Sequence, residues 1–507
     1  MKNKTSLSYV MLTNVSIPSI ARIRRCRNHR SIGAGKFGMT AVMMIFSVCV
    51  LMRTGSDAQV IAGGYYHSLA LCSDSTARSW GYNEFGQLGD NSTTDRNIAV
   101  SVYLLTGIKS ISSGAWHSLY LKSDSMVWAC GENLFGQLGD GTTGIDSTLV
   151  LVNSLTNITA VAGGLYHSLF LKSDSTVWAC GRNDFGQLGD GTNTDRSIPV
   201  QVNGLMGISA VAKSGGNHSL FLKYDGTVWS CGKNDYGQLG DGTTVDRNIP
   251  VQVTGLSGIT AVAAGYIYSL FLKNDGTVWA CGYNLWGQLG DGTTTDRNIP
   301  VQVNSLTGII AIECGDAHSL FLKNDGTVWA CGWNQNGQLG DSTTTDRWTP
   351  VQVNGIMGII AITGGGQHSL FLKADGTVWA CGENLFGQLG DGTNTERWTP
   401  VQVTGLCPIL IGIDEQQHEN VFQIYPNPAT NELRIKNGES RIESVEVWDM
   451  VGEKCFTMTH PQPPLAGTLA SAQRGLSVDV SSLKPGIYFV TVTDEKKNKV
   501  TRKVVKM

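Results

Sequence analysis

Gly86-Gln87-Leu88-Gly89-Asp90 recurs six more times, beginning at Gly136, Gly186, Gly237, Gly287, Gly337 and Gly387. The spacing is 50 residues at every step except the one from Gly186 to Gly237, which is 51. A period this long and regular means a repeat architecture, each unit burying its apolar faces against its neighbours. Seven copies in one chain also form an internal comparison set. Positions that stay fixed read as scaffold, and positions that change are candidates for a site.

One repeat, Ile259 to Leu306, shows the local structure. Ile259-Thr260-Ala261-Val262-Ala263-Ala264-Gly265, Tyr268-Ser269-Leu270-Phe271-Leu272-Lys273, Thr277-Val278-Trp279-Ala280-Cys281-Gly282 and Ile299-Pro300-Val301-Gln302-Val303 are four short β runs separated by turn residues. Asp275-Gly276 between the second and third is a hairpin signal, because glycine accepts the positive φ of a tight turn. The first three repeats carry Ser75, Ser125 and Ser175 there, so their turns are expected to be looser. Proline opens the fourth run at 199, 250, 300, 350 and 400, as an outer edge strand tolerates. No segment has helical periodicity.

A four-stranded sheet cannot bury both faces alone, and seven such sheets fall within the usual range for a closed ring of blades. The expected fold class is all-β: a seven-bladed β-propeller over residues 59–406, followed by a small antiparallel β-sandwich. An open β-solenoid, the alternative, has shorter coils with a stricter hydrophobic period. The repeat resembles that of the regulator of chromosome condensation family, in a phrase standing here as Trp229-Ser230-Cys231-Gly232-Lys233-Asn234-Asp235-Tyr236-Gly237-Gln238-Leu239-Gly240. The resemblance implies the propeller but not a function. That family includes a nuclear guanine-nucleotide exchange factor, a plant ultraviolet-B photoreceptor and a secreted β-lactamase inhibitor.

If the strands run up and down, the links from strand one to two and from three to four emerge on one face. In the first link the two residues before the recurring His change from copy to copy: Tyr65-Tyr66, Ala115-Trp116, Leu165-Tyr166, Gly216-Asn217, Tyr266-Ile267, Asp316-Ala317 and Gly366-Gln367. In the second, the residue before the fixed Asn changes: Tyr82, Glu132, Arg182, Lys233, Tyr283, Trp333 and Glu383. Both sets are therefore expected on one face, a broken ring of aromatics with a few charges, as binding surfaces have. The candidate ligand-binding residues are Tyr66, Trp116, Tyr166, Tyr283 and Trp333. The alternative is repeat drift at idle loop tips.

Other recurring residues read as scaffold. Phe85, Phe135, Phe185, Tyr236, Trp286 and Phe386, just before the Gly-Gln-Leu-Gly phrase, are regular enough for packing. Trp128, Trp178, Trp229, Trp279, Trp329 and Trp379 are expected to fill the space between sheets. The first repeat has Arg78 there and Trp80 two places on, which suggests a modified first blade. His67, His117, His167, His218, His318 and His368, with Tyr268 in the fifth copy, are too dispersed for a metal site and are expected to make structural hydrogen bonds. Asp291 to Asp296 lacks calcium-loop spacing. No unique nucleophile–base constellation occurs, so no catalytic, metal or cofactor site is expected.

Gly is 62 of 507 residues, about 12% against roughly 7% usually, and charged residues are 16% against roughly 25%. The net charge of −3 offers no footprint for nucleic acid. Residues 1–58 read as an export signal: basic from Arg22 to Lys36, apolar from Met39 to Met52, and cleaved after Ala58. The apolar run is shorter than the roughly 20 residues of a membrane span, so no integral span remains after cleavage. An uncleaved anchor, or a true start further along, is the alternative. Cys130, Cys180, Cys231, Cys281, Cys331 and Cys381 occupy one position in successive sheets about 10 Å apart, beyond disulfide reach, and read as buried thiols. The pairing of Cys72, Cys314, Cys407 and Cys455 is open.

After a linker at 407–423, the period becomes two: Glu432-Leu433-Arg434-Ile435, Val445-Glu446-Val447-Trp448 and Ile487-Tyr488-Phe489-Val490-Thr491-Val492. With Tyr425-Pro426-Asn427-Pro428, Asp449-Met450-Val451-Gly452, Leu483-Lys484-Pro485-Gly486-Ile487-Tyr488 and a Lys-rich end, residues 424–507 resemble the C-terminal sorting domain of the type IX secretion system. A Pro- and Ala-rich insertion from His460 to Ala472 departs from that pattern. The resemblance implies engagement of type IX machinery and release from, or fixation to, a bacterial outer surface. The expected protein is a secreted or surface non-enzymatic binding propeller for an extracellular protein or glycan. Its alternatives are an enzyme inhibitor, a cryptic hydrolase or lyase, and an exchange-factor-like regulator.

Overall fold

In the computed structural model, the described residues are 60–213, 216–406, 422–425, 432–437, 442–449, 454–459, 475–483, 486–494 and 499–506. The expected export signal at 1–58 lies outside them, as does most of the linker. Among the described residues no helix is long and apolar enough to cross a membrane.

The first unit is seven four-stranded antiparallel sheets, each contributed in sequence order by one repeat, from Val60–Gly63 to Arg397–Gln402. Among the described residues no strand is exchanged between repeats, and the ring closes through side chains and loop backbone. The apolar core is divided among the interfaces between blades. At one of them Leu169, Leu171, Val177 and Ala179 of the third blade meet Ile208, Val211, Phe221 and Cys231 of the fourth. The alternating period of each strand sends successive residues into the two flanking interfaces, which is why both faces read as apolar.

Three sequence expectations are corrected. The large aromatic filling each interface is not the recurring Trp but the second-strand residue: Tyr120, Phe170, Phe221, Phe271, Phe321 and Phe371 are all fully buried. The Trp side chains are half-buried at the margin, where lysines such as Lys223 and Lys373 stand 4.5 and 4.7 Å over the rings of Trp229 and Trp379. The outermost strands start at Arg or Asp, three residues before the proline position, as in Arg196–Gln201. Pro199 falls where the pairing shifts register, between Ala179↔Val200 and Gly181↔Arg196, so its missing donor costs the ladder nothing. The Ser turns are not looser. Ser75, Ser125 and Ser175 adopt φ of 63°, 69° and 66° and close the same hydrogen bond as Gly226, at a backbone cost of about 1 kcal/mol each.

The first blade is modified, and the reason is volume. Ala70 replaces the second-strand aromatic, and Trp80, fully buried, replaces the recurring Cys. The Trp80 indole N–H donates to the Gln388 carbonyl at 2.9 Å, as the Cys130 thiol reaches the Gln87 carbonyl at 3.6 Å. Cys130, Cys180, Cys231, Cys281, Cys331 and Cys381 are buried free thiols, as is Cys314, whereas Cys72 is disulfide-bonded.

The second unit contains two sheets. Strands Phe422–Tyr425, Glu432–Asn437 and Gly475–Asp479 form one, and Lys454–Thr459, Ile442–Asp449, Gly486–Asp494 and Lys499–Lys506 the other. Leu433, Ile435, Val445, Val447, Val478, Val480, Val490 and Val492 alternate inward to one core.

Candidate functional site

The links between strands one and two meet around the propeller axis. Tyr65 N–H donates to the Ala115 carbonyl at 3.0 Å, Ala115 to Gly164 at 3.2 Å and Leu165 to Gly216 at 3.4 Å; Tyr266 donates to Asp316 and Asp316 to Gly366 at 3.3 Å, and Gly366 returns to Gly64 at 3.0 Å. Gly216 lies against the Tyr266 carbonyl, where a Cβ would come within 1.7 Å, so this position takes only glycine. The backbone necklace thus spans all seven blades and carries the variable side chains on it.

Directly beneath runs a belt of side chains. Nε2 of His117, His167, His218 and His318 lies 2.9, 2.9, 3.0 and 2.9 Å from Oγ of Ser168, Ser219, Ser269 and Ser369 in the following blade. His67 reaches Ser118 at 3.1 Å, and His368 closes the circle on Ser68 at 2.9 Å. In the fifth blade Tyr268 takes the histidine's place, its hydroxyl donating to the His318 carbonyl and lying 3.2 Å from the Ser319 hydroxyl. Each serine hydroxyl already donates to a Gln carbonyl, as Ser118 does to Gln87 at 2.6 Å. The histidine must therefore donate through Nε2–H, which leaves its Nδ1 unprotonated. The imidazole fits because Gly64 and its equivalents have no Cβ, which would fall about 2 Å from the ring. The expectation of structural histidines holds, and among the described residues no three His, Cys, Asp or Glu form a metal-binding group.

The links between strands three and four are also built inward. Asn183 Nδ2 donates to Asp190 at 3.1 Å, its Oδ1 accepts from Leu188 N–H at 2.9 Å, and Arg196 pairs with Asp190 at 2.8 Å. Burial raises the Asp190 carboxyl, and the Thr192, Arg196 and Asn183 hydrogen bonds more than offset it, so the net shift is downward. Asp291 is occupied in the same way by Thr293, Arg297 and Asn284, so the acidic run there is a self-satisfied turn. The second blade breaks the pattern: Asp146 stands where the others have Arg, and burial and Asp140 raise its carboxyl. Asp146→Arg is expected to restore the ion pair and stabilise the propeller by about 1 kcal/mol. A urea midpoint at or below that of the parent, at unchanged m value, would show that the pair does not form.

With the fixed residues consumed by scaffold, most of the variable aromatics remain half-exposed, while Tyr65, Ala115, Leu165, Asp316 and Glu132 are buried, and the two sets do share a face. Tyr66 and Trp116 lie 5.7 Å apart between ring centroids, with Tyr82 at 6.3 and 5.5 Å from them. Tyr66, Trp116 and Tyr166 pack together with Tyr266 over Tyr65, Ala115 and Leu165 at the axis. Tyr283 and Trp333 are not in that group. They join through Trp286, 5.3 Å from Tyr283 and 6.0 Å from Trp333, and Tyr236 extends the row at 4.8 Å from Tyr283. All five candidates are half-buried.

The residues read as packing before the Gly-Gln-Leu-Gly phrase are part of this surface. Phe386 lies 4.9 Å from Tyr66, tilted, and 4.7 Å from Tyr82, edge to face; Phe85 lies 5.9 Å from Trp116, and Phe135 5.2 Å from Tyr166. They are half-exposed, and Tyr236 is 38% exposed. Their constant place in the repeat suggested a core role; that place is in fact the rim of the face. Charge is distributed unevenly. The Arg182 guanidinium stands 5.2, 5.7 and 5.6 Å over Phe135, Tyr166 and Phe185, and Lys233 4.9 Å over Phe185. Burial lifts Glu132 to about 7, and burial, then Glu396, lifts Glu383 to about 7. Burial, then Glu383, pushes Tyr66 up to about 12.

Residues 31–265 and 208–422 match the RCC1-like domain family, and residues 423–507 match the secretion system C-terminal sorting domain. Human WBSCR16 is similar at 26% identity and a TM-score of 0.56, over 61% of this chain and 85% of that one. Yeast RCC1 (Prp20), solved bound to Kap60, superposes with a TM-score of 0.59 at 18% identity, over 80% of this chain and 93% of its own. A second structure of Prp20p from Saccharomyces cerevisiae, described with its binding to Gsp1p and histones, gives 0.58 at 19%, over 78% and 93%. The yeast likenesses concern the fold alone. No curated protein sequence matches the chain.

Proposed function

Because this chain belongs to the RCC1-like domain family and carries a type IX sorting domain, we propose that it is a secreted or surface-displayed binding protein, non-enzymatic, whose variable face engages an extracellular protein or glycan. The observation that carries this reading is the division of labour among repeat positions. His, Ser, Asn, Gln and Leu of the fixed set are buried and hydrogen-bonded or packed, while half-exposed aromatics concentrate where the copies differ. Idle loop tips have no reason to accumulate Tyr and Trp, the residues that dominate contact energy at interfaces. The disulfide at Cys72 fits an oxidising destination outside the cytosol.

The test is capture of extracellular and host-surface proteins and glycans on the full chain and on a Trp116→Ala, Tyr283→Ala, Trp333→Ala variant. Retention by the parent and loss by a variant with unchanged circular dichroism is the expected result. Equal retention would move the site off this face, and turnover of a substrate without a partner would replace binding by catalysis.

A further inference from the structure

The residue before the fixed Asn supplies a different charge in each part of the ring, and its surroundings show whether that charge is met. In the third and fourth blades it is a cation already in place: Arg182 lies over three aromatic rings and pairs with Asp184 at 2.7 Å, and Lys233 pairs with Asp235 at 3.0 Å. In the fifth and sixth it is neutral, Tyr283 and Trp333. In the seventh, first and second blades, which are consecutive around the closure, it reads Glu383, Tyr82 and Glu132. Glu132 is 6% exposed, and neither its Oε2 nor that of Glu383 has a hydrogen-bond partner. Between them lies the densest aromatic cluster of the molecule's face, Tyr66, Tyr82, Trp116 and Phe386, with neighbouring rings 4.7–6.3 Å apart. Glu132 N–H donates to the Trp116 carbonyl at 2.9 Å, and Glu383 stands three residues before Phe386, which sets one acidic residue at each end of the cluster.

A carboxylate held beside aromatic rings and left without a counter-charge is costly, and a cation that stacks on the rings and pairs with the carboxylate removes that cost. Guanidinium does both, being planar, weakly hydrated and able to present two parallel N–H groups. The third blade shows the same chemistry satisfied within the chain by Arg182 at the equivalent position. We infer that the acid-flanked aromatic cluster of blades seven, one and two is a seat for an arginine side chain presented by a protein partner. A neutral glycan would stack on the rings but leave both charges unmet. The inference rests on the reading of this face as a binding surface and names the chemistry of its occupant.

The probe is N-acetyl-arginine amide, titrated into the full chain at pH 8 and low salt by calorimetry, with N-acetyl-citrulline amide as its uncharged isostere. Arginine is expected to bind about tenfold more tightly than citrulline, and a Glu132→Gln, Glu383→Gln variant to lose about that factor. Tyr224→Ala, at an exposed turn between the second and third strands of the fourth blade and so on the opposite face, is expected to bind the probe as the parent does. The Gln variant is expected to fold, with a Tm at pH 8 no lower than the parent's, because both carboxyls are lifted to about 7 in the folded state and their ionisation opposes folding above that pH. Equal binding of citrulline, no binding of the arginine probe, or undiminished binding by the Gln variant would each overturn the seat. In capture of a partner, loss by the triple alanine variant with full retention by the Gln variant would reject the arginine seat and leave the face standing. Retention by both would reject the face.

Discussion

Between pH 7 and pH 4.5 the propeller is expected to lose stability, with a net proton uptake on unfolding of about four: six from the histidines, less about two that Glu132 and Glu383, lifted to about 7, bind in the folded state. The six histidines of the inter-blade belt are each held at about 3 by burial, and for His67, His117, His218 and His368 also by neighbouring histidines. The chemistry behind the shift is specific. Nε2–H is committed to the next blade's serine, and protonation would place a second N–H at Nδ1, which has no partner among the described residues. In the unfolded chain these groups titrate near 6.5. A folded value below the unfolded one means that the unfolded state binds more protons as pH falls, so stability is complete above 6.5 and is lost from there down to about 3. At pH 5 each histidine contributes a loss of about 2 kcal/mol. Six sum to an order of 10 kcal/mol, partly offset by protonation of Glu132 and Glu383, and still a large share of the roughly 5–15 kcal/mol that holds a domain together. The aspartates of the Asn–Asp–Arg links, held below the usual carboxylate range, add to the loss only at lower pH. Urea midpoints measured from pH 7.5 to 4.5 test this: a slope of one proton or less over that range would mean that the belt is hydrated or already charged.

Replacing Trp80 by Cys, the residue of every other blade, is expected to destabilise the propeller by about 3–5 kcal/mol, the range for large-to-small changes at buried aromatics. Repetition alone argues the opposite, since the change restores the recurring residue. The interface between the seventh and first blades explains the sign. Trp80 packs there with Ile61, Ala70, Ala99, Leu370, Leu372, Val378, Ala380, Leu389 and Val403. Its indole occupies the volume that an aromatic at position 70 would fill, and its N–H holds Gln388 of the seventh blade at 2.9 Å. This interface also joins the two ends of the repeat array, with Ala99 N–H donating to the Thr404 carbonyl at 3.1 Å where five of the other six blades have proline. Ala70→Phe alone overpacks the site. Ala70→Phe together with Trp80→Cys rebuilds the arrangement of the other six interfaces and is expected to recover most of the loss. Additive effects of the two changes in a double-mutant cycle would refute the volume exchange.

The fold was legible because a period of 50 residues, four β runs per period and a hairpin signal in each leave few architectures open. The shared face of the two variable links followed from strand parity, and the fixed histidines could be assigned to hydrogen bonding by their dispersion. Two readings failed for one reason: regularity was equated with burial. Trp229 and its equivalents, and Phe386 and its equivalents, recur because each blade has the same rim as well as the same core, and a repeat reproduces exposed positions as faithfully as buried ones. Ala70 carried the complementary signal to Trp80, and it is visible only when the two columns are read together.

The sequence by itself determined the number of blades, the order of strands, the sorting domain and the set of positions free to vary. All of these are local or periodic properties, set by side-chain alternation, turn chemistry and the spacing of copies. Only the tertiary structure decided what happens between copies: which serine each histidine meets, how Trp80 closes the ring, and how Phe386 becomes a neighbour of Tyr66 and Tyr82. Residues 82 and 386 are about as far apart in the chain as the propeller allows, and their rings meet at 4.7 Å because seven twisted sheets, each burying both faces against its neighbours, return the last blade to the first.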